Sequence, residues 1–539
     1  MEGVNIDELR GEQDPEKLRT AALSLYRRTT QLEAENAILL KQLEKLVGEL
    51  AQATDKDRQQ MLGFEIKKLN ELLAEKNREL FGSSRSERRL VPAPASIEPK
   101  PKQVGHGPTK QLKLPIQEIV HTRANPEQEC CHQVQPVMPG QTEDTEQITI
   151  VERKIVLCRH KSQKYRCTLC GRIDVAPGAP APIIPGGRYT PEFAVAVAVD
   201  KYSDHLPLDR QAHRFERQGL VVTRQTLWDQ IFALYHLLLG AYLALHAYLI
   251  AKPVLGADES SWRVMGKGRS AKWWTWALVG EDAVYYMIAP TRGTAAAAAL
   301  LGGFEGVVSV DGYQVYTSLE ARGTQLSIYD IDGMVGPKTY KFTLVCCWMH
   351  ARRGFIKAEQ AGHPDAKAAL DLIAKLYQVE DKAEKLALAS GEDLIEVRRR
   401  LRNTESREIV TNLRTWIYAQ KPVPSLKLDK AITYAKNQWV RLVRFLDDPR
   451  APIDNGWAER AIRGTVLGRK NHYGSHSEAG TRVAALFYTI TETCKLLDID
   501  PAAYMLEAAR RATANRDDVL TPMVWKAELA ARAAAALAN

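Results

Sequence analysis

Apolar residues recur every seven positions near the start of the chain. Leu25, Leu32, Leu39 and Leu46 form one row, with Thr29, Asn36, Leu43 and Leu50 at the alternate core position. This spacing predicts a coiled-coil, leucine-zipper region over 15–82, and Asn36 at a core position favours a two-stranded register. The frame breaks in the polar ATDKDRQQ segment and resumes in a new phase with Leu62, Ile66, Leu69 and Leu73. Two partners fit such a stripe: a second copy of the chain, giving a homo-oligomer that is at least a dimer, or the same chain folded back. After Phe81 the rhythm stops, and residues 83–116 read as a basic, Pro-rich linker.

From 186 to 252 the spacing is helical. One helix ends at Gly219 and the next is capped by Thr223, a helix-turn-helix-like pair that would project Arg210, Arg224 and Gln225 as DNA contacts. Ordinary all-α domains contain such pairs as well. The run from Phe232 to Ala251 is long enough to cross a membrane, but it holds His236, His246, three Tyr and a Gly. It reads as a buried helix bracing the α/β region after it, with no membrane partner.

Residues 253–360 and 450–495 form an α/β pattern. Short β-branched and aromatic runs succeed one another: VLGAD, AKWWTWALVG and AVYYMIAP, then a small-residue helix, then VVSVD and FTLVCC. That order is expected of a ribonuclease-H-like catalytic core. An all-helical insertion is predicted over 361–449 and a helical tail over 496–539. Asp258 and Asp311 close two of the strand runs, and Glu459 comes after a turn-like Asp-Asn-Gly with helical spacing. Two strand-borne aspartates and a helix-borne glutamate suit Mg²⁺ (or Mn²⁺), two ions per site, because hard cations take carboxylate oxygens and a pair of them clamps an in-line phosphoryl displacement. Against this, 65 Asp and Glu residues offer many accidental triads. Glu259 and Asp454, beside the candidates, are expected to be turn or capping residues. His350, Arg352 and Arg353 come after the fifth strand, and Arg463, Arg469, Lys470 and Asn471 after Glu459; all are candidate contacts to DNA phosphates.

Cysteines divide into two groups. Cys346, Cys347 and Cys494 lie in apolar patterns and read as inert core. Cys130, Cys131, Cys158, Cys167 and Cys170 cluster with His132 and His160. Cys167 and Cys170 have zinc-knuckle spacing, which predicts a small zinc-ribbon-like DNA-binding module over 117–185 with structural Zn²⁺. Cys131 or Cys130 with His132, or Cys158 with His160, would complete the ligand set; a metal-free relic is the alternative.

Eight blocks, in order, resemble the insertion-sequence-66 family of bacterial transposases: LFGSSRSERR, KYSDHLPLDRQAHRFERQGLVVTRQTL, LGADESSW, VDGYQVY, CCWMHARRGF, DNGWAERAIR, LGRKNHYGSHSEAG and TETCKLLDIDPAAYM. The likeness spans roughly residues 70 to 525. It implies a DDE transposase with Asp258, Asp311 and Glu459 as catalytic and metal-holding carboxylates. Such a protein binds the element's terminal inverted repeats and target DNA, cuts, and transfers a 3′-hydroxyl; accessory proteins encoded by the element often assist. The family carries a second CxxC pair upstream, which is degenerate here, with Gln128 where its first thiol would stand. A net charge of +9 and a pI near 9.0 suit a polyanionic partner. The acidic N-terminus has no apolar signal core, so a cytoplasmic, nucleoid-associated bacterial protein is expected. Two further readings stay open: a catalytically inactive DNA-binding regulator, and a ribonuclease-H-type nuclease.

Overall fold

The computed structural model describes residues 15–81, 155, 164–166, 173–175, 182–266, 269–322, 324–326, 337–339 and 341–538. Apart from residue 155 these lie in one compact unit. The linker 83–116 and Cys130, Cys131, His132, Cys158, His160, Cys167 and Cys170 fall outside the described residues. Of the expected zinc module, only a short antiparallel pair is described, β1 (Lys164–Arg166) and β2 (Ile173–Val175).

The heptad stripe is filled from within the chain. Helices α1 (Pro15–Gln52) and α2 (Lys56–Phe81) form a hairpin turned at Ala53–Asp55. Leu32 and Leu62 are buried in the seam, the Asn36 side chain donates to Asn77 Oδ1 at 2.9 Å, and Lys76 donates to Glu35. The repeat therefore marked a real packing face, with the chain's own α2 as the partner seen here. Spacing alone does not distinguish an internal partner from a second copy. Buried Glu71 ties the hairpin to the helical segments around 363 and 427, accepting from His363 Nε2 and from the backbone N–H of Lys427.

Helices α3 (Pro191–Tyr202), α4 (Leu208–Arg217) and α5 (Arg224–Ile250) come next. Thr223 caps α5 by accepting from the Thr226 N–H at 3.1 Å, and Gly219 takes φ +87° after α4. The long apolar helix α5 is a core brace. Leu227, Ile231, Leu234 and Leu245 are fully buried, Tyr242 Oη donates to the Tyr286 carbonyl, and the His246 ring bonds the Leu300 carbonyl.

A five-stranded mixed sheet comes next: β3 (Val254–Gly266), β4 (Arg269–Val279), β5 (Val284–Ala289), β6 (Val307–Val310) and β9 (Thr343–Cys346), in spatial order β5-β4-β3-β6-β9. Only β4 runs antiparallel to the rest. Between β5 and β6 lies α6 (Thr294–Leu301); between β6 and β9 lie α7 (Gln314–Arg322) and a small hairpin, β7 (Thr324–Leu326) with β8 (Pro337–Thr339). The strand that carries Asp258 continues eight residues beyond it, rather than ending there as its apolar run predicts. Antiparallel pairing with the Trp-rich β4 over its whole length holds the polar Ser260, Ser261 and Arg263 in the ladder.

Both sheet edges are covered, which removes the hazard of open strand edges. Helix α15 (Glu478–Leu496) offers Thr493 and Thr489 hydroxyls to the free N–H groups of Val284 and Tyr286 on β5. At the other edge, Glu320 accepts from the Leu344 N–H and Arg444 donates to the Leu344 carbonyl.

After β9 come α8 (Trp348–Gln360), α9 (Ala366–Ser390), α10 (Leu394–Leu401), α11 (Arg407–Ala419) and α12 (Lys427–Val443), with a π turn at Arg402–Ser406. The Arg run there is bound internally. Arg398 pairs with Glu384, Arg399 with Glu396 and Arg400 with Glu392. Arg402 is fully buried, grips Glu380 through two hydrogen bonds of 2.7 and 2.8 Å, and donates to the Phe445 carbonyl. Removing Arg402 leaves buried Glu380 with Arg398 as its remaining partner at 3.1 Å, so Arg402→Ala should cost about 1–3 kcal/mol, read as a lower urea midpoint. Wild-type stability in that variant would contradict the role given to the pair. Three helices, α13 (Gly456–Ala461), α14 (Arg463–His472) and α15, return to the sheet, and α16 (Pro501–Ala514) and α17 (Pro522–Ala538) end the described chain.

Candidate active site

The site grows out of strand register. β3 pairs with β6 through Val254↔Val307, Leu255↔Val308 and Gly256↔Ser309, and the pairing stops there. Asp258 and Asp311 each lie two residues beyond that last pair. Neighbouring parallel strands are about 4.8 Å apart and side chains alternate with period two, so the two aspartates stand side by side on the face that carries Gly256.

Glu459 is carried on a helix that is bound to that face at several points. Asn455, fully buried, donates from Nδ2 to the Ala257 carbonyl at 2.9 Å and from its backbone N–H to Cys347 Sγ at 3.2 Å. The Trp348 N–H bonds the Ile453 carbonyl, and Ser309 Oγ donates to the Asp454 carbonyl. Gly256 makes the close approach of α13 possible. A Cβ there would lie 2.8 Å from Asn455 Oδ1 and 2.9 Å from both Ala458 Cβ and Trp457 Cζ2.

Electrostatics mark the cluster. Burial first, then the charge of Glu259, with further repulsion from Asp311 and Glu459, pushes Asp258 up to about 7, against the opposing pull of a hydrogen bond from the Glu259 N–H. Asp311 Oδ1 accepts from the Tyr313 N–H at 2.8 Å, and its carbonyl accepts from Tyr434 Oη at 2.6 Å. Gly312, at φ +94°, lets the chain turn beneath Tyr434.

Glu259 is neither a turn nor a capping residue. It lies within β3 with its side chain on the opposite face, buried, paired with Arg292 at 2.6 Å and accepting from Tyr316 Oη at 3.0 Å. Asp454 does act within a turn, accepting from the Gly456 N–H.

The candidate phosphate contacts separate clearly. His350 Nδ1 is 3.5 Å from Glu459 Oε1, and Arg353 reaches Glu459 Oε2 at 3.2 Å. Burial lowers His350 below the usual imidazole range, so it is neutral at pH 7. Arg352 is on the same helix but half-buried, near Tyr377 and Glu359. Arg469 is held by β3, donating to the Ser261 carbonyl, to Ser261 Oγ and to Ser260 Oγ. Arg463, Lys470 and Asn471 are exposed on α14, and Arg210 is exposed on α4. Arg224 pairs with Asp209 at 3.4 Å, and Gln225 bonds Asp229 within its own helix.

Cys347 is fully buried, as its apolar pattern predicts. Its sulfur, His350 and Glu459 place their ligand atoms within 4.8 Å of one another. The C-x-x-H spacing of Cys347 and His350 was the signal in the sequence that pointed there.

A five-stranded mixed sheet flanked by helices, with carboxylates just past the last pair of two adjacent parallel strands, defines an α/β core. The family model described as "Transposase IS66 family" matches residues 186–483, and the chain belongs to that family. It is 30% identical over 424 residues to the uncharacterized protein y4qI of Sinorhizobium fredii, covering 74% of this chain and 73% of that one. It is 29% identical over 412 residues to the uncharacterized protein y4jD of the same organism, covering 72% and 76%. Members of this family normally use a divalent metal. The donors suit one, because they are carboxylate oxygens; Asp258 is raised by burial first, then by the charge of Glu259, with Asp311 and Glu459 adding less.

Proposed function

We propose that the chain is a DDE transposase with a ribonuclease-H-like core, cutting DNA at the ends of its element and joining the exposed 3′-hydroxyl to target DNA. The observation that carries this is the matched position of Asp258 and Asp311 past the last β3–β6 pair, with Glu459 delivered across them by the Asn455 turn. The sheet order, with a single antiparallel strand next to the centre, is compatible with the same reading.

When bound, divalent cations supply charge neutralisation at the phosphate oxygens and acidify the attacking hydroxyl or water. Asp258, Asp311 and Glu459 are the groups that hold them. Arg353, exposed beside Glu459, contacts the scissile phosphate, and Arg463, Lys470 and Asn471 track the DNA backbone along α14. Arg469 acts indirectly, fixing α14 to β3. Arg210, Arg224 and Gln225 read or grip the element ends. Cys167, Cys170, Cys131 and His132 hold Zn²⁺ in a separate DNA-binding module. The protein works in the bacterial cytoplasm on the nucleoid, with accessory proteins of the element as further partners.

Joining two ends requires two active sites, so the working form is at least a dimer. Leu40 and Val47 on α1, seven residues apart, and Met61, Phe64 and Leu72 on α2 form exposed apolar stripes outside the hairpin seam. A second hairpin would cover them. Sedimentation should show a dimer that Leu40→Ser with Val47→Ser weakens; a monomeric wild type would remove this part of the proposal.

The test is incubation of the purified chain with a labelled duplex carrying the element end. Mg²⁺ should produce a nick ending in a 3′-hydroxyl, and a chelator should abolish it. Tight binding with no nick in Mg²⁺ or Mn²⁺ would favour an inactive DNA-binding regulator.

Asp258 also gives the protein a pH-dependent stability. Its folded value, about 7, lies above the unfolded value near 3.9. Its contribution to stability is thus full below about pH 4 and lost as pH rises through about 7. Without metal, Asp258→Asn should therefore raise the thermal midpoint at pH 8 by about 2–4 °C and change it little at pH 4. An unchanged midpoint at pH 8 would contradict a buried, repelled carboxylate.

A further inference from the structure

Cys347 immediately precedes α8, His350 lies in the first turn of that helix, and Glu459 comes from α13. His350 Nδ1 and Glu459 Oε1 face each other at 3.5 Å, and each atom is buried without a hydrogen bond among the described residues. Buried polar atoms in native folds are nearly always satisfied, so a facing pair of orphans marks a missing partner. A tetrahedral ion with bonds near 2.0 Å sets nitrogen and oxygen ligands about 3.3 Å apart. Cys347 Sγ lies within 4.8 Å of a ring nitrogen of His350 and a carboxylate oxygen of Glu459, and it already accepts the Asn455 N–H at 3.2 Å. A backbone donor of that kind orients and stabilises a ligating sulfur.

We propose that Cys347 Sγ, His350 Nδ1 and Glu459 Oε1 form a three-ligand site for a thiophilic divalent cation of the Zn²⁺ class, with its fourth position open to water. Sulfur and imidazole select Zn²⁺ or Co²⁺ and reject Mg²⁺. On binding, the Cys347 thiol releases its proton to solvent and its sulfur donates a lone pair to the metal; nothing is oxidised or reduced. Burial pushes the free thiol up to about 12, so the proton is displaced only by a strongly thiophilic ion. The imidazole keeps its proton on Nε2, and the exposed Arg353, whose Nη1 is 3.5 Å away, turns aside.

The site shares Glu459 with the trio of carboxylates. A cation here ties α13 to the start of α8 and withdraws a carboxylate oxygen from the Mg²⁺ centre. Zn²⁺ is then an inhibitor of the cleavage reaction, a consequence that rests on the transposase reading above.

Cobalt titration of the full chain, without oxygen, is the test. Other thiols of the chain also take Co²⁺, so the readout is the difference between wild type and variants. Cys347→Ser should lose about one equivalent of Co²⁺ together with part of the thiolate-to-cobalt charge-transfer band. His350→Ala and Glu459→Gln should lose the same equivalent. Cys346→Ser should retain it, because that thiol faces Gln438 instead. Unchanged cobalt stoichiometry in both Cys347→Ser and His350→Ala overturns the site. Asp258→Asn separates the two readings. It should retain the cobalt–thiolate band while losing Mg²⁺-dependent cleavage. If it still cleaves, the carboxylate reading fails while the cobalt site stands.

Discussion

Asp311→Ala should lower Mg²⁺-dependent cleavage by at least about 10³-fold, roughly 4 kcal/mol of transition-state stabilisation, and leave binding to the element end within a few-fold of wild type. Among the described residues Asp311 has no ion pair, and its carboxylate accepts the Tyr313 backbone N–H. On the proposed reading Ala removes a metal ligand, while the Tyr434 bond to the Asp311 carbonyl persists. Asp258→Ala and Glu459→Ala should behave alike. Glu259→Ala should differ in kind. It leaves Arg292 and Tyr316 without their buried partner, so its loss should appear in the unfolding midpoint. Cleavage rates and midpoints measured side by side separate the two classes, and full cleavage in Asp311→Ala would contradict the assignment.

Gly256→Ala should be nearly as damaging to activity with no ligand removed. The new Cβ would come within 2.9 Å of Asn455, Ala458 and Trp457, closer than side-chain atoms approach. Overpacking of this kind costs about 1–3 kcal/mol, and the element that can yield is the six-residue α13, which carries Glu459. A displacement on the order of 1 Å at a catalytic group costs about 10²-fold. The expected result is a folded protein that binds DNA and cuts about 10²-fold more slowly. Wild-type cleavage by Gly256→Ala would mean that α13 does not set the position of Glu459.

The strand-strand-strand-helix-strand order was legible because runs such as VVSV and VYYMIA are short and mostly apolar, with Gly306 before the first and Pro290 after the second. The extent of β3 was less so, since ESSWR looks like a turn until the partner strand is known. Choosing between Asp258 and Glu259 required the register: adjacent strand residues face opposite ways, and only the pairing of Gly256 with Ser309 shows which face α13 covers. Asn455 and Gly256 were invisible as site residues because their roles are contacts between segments almost 200 residues apart. The heptads of α1 showed a packing face but not its occupant. In the Arg run at 398–402 the pattern does not separate surface from interior: Arg399 and Arg400 form exposed ion pairs, whereas Arg398 and Arg402 turn inward to Glu380.

The most direct measurement of the central claim is a strand-transfer assay. A duplex carrying the element end, labelled at the strand to be transferred, is incubated with a target plasmid, Mg²⁺ and the purified full chain. The account predicts a labelled strand joined covalently through its 3′-hydroxyl to the plasmid, absent with a chelator and absent with Asp258→Asn, Asp311→Asn or Glu459→Gln. Joined product that persists in any of these three variants, or a wild type that binds the end and never joins it, would contradict it.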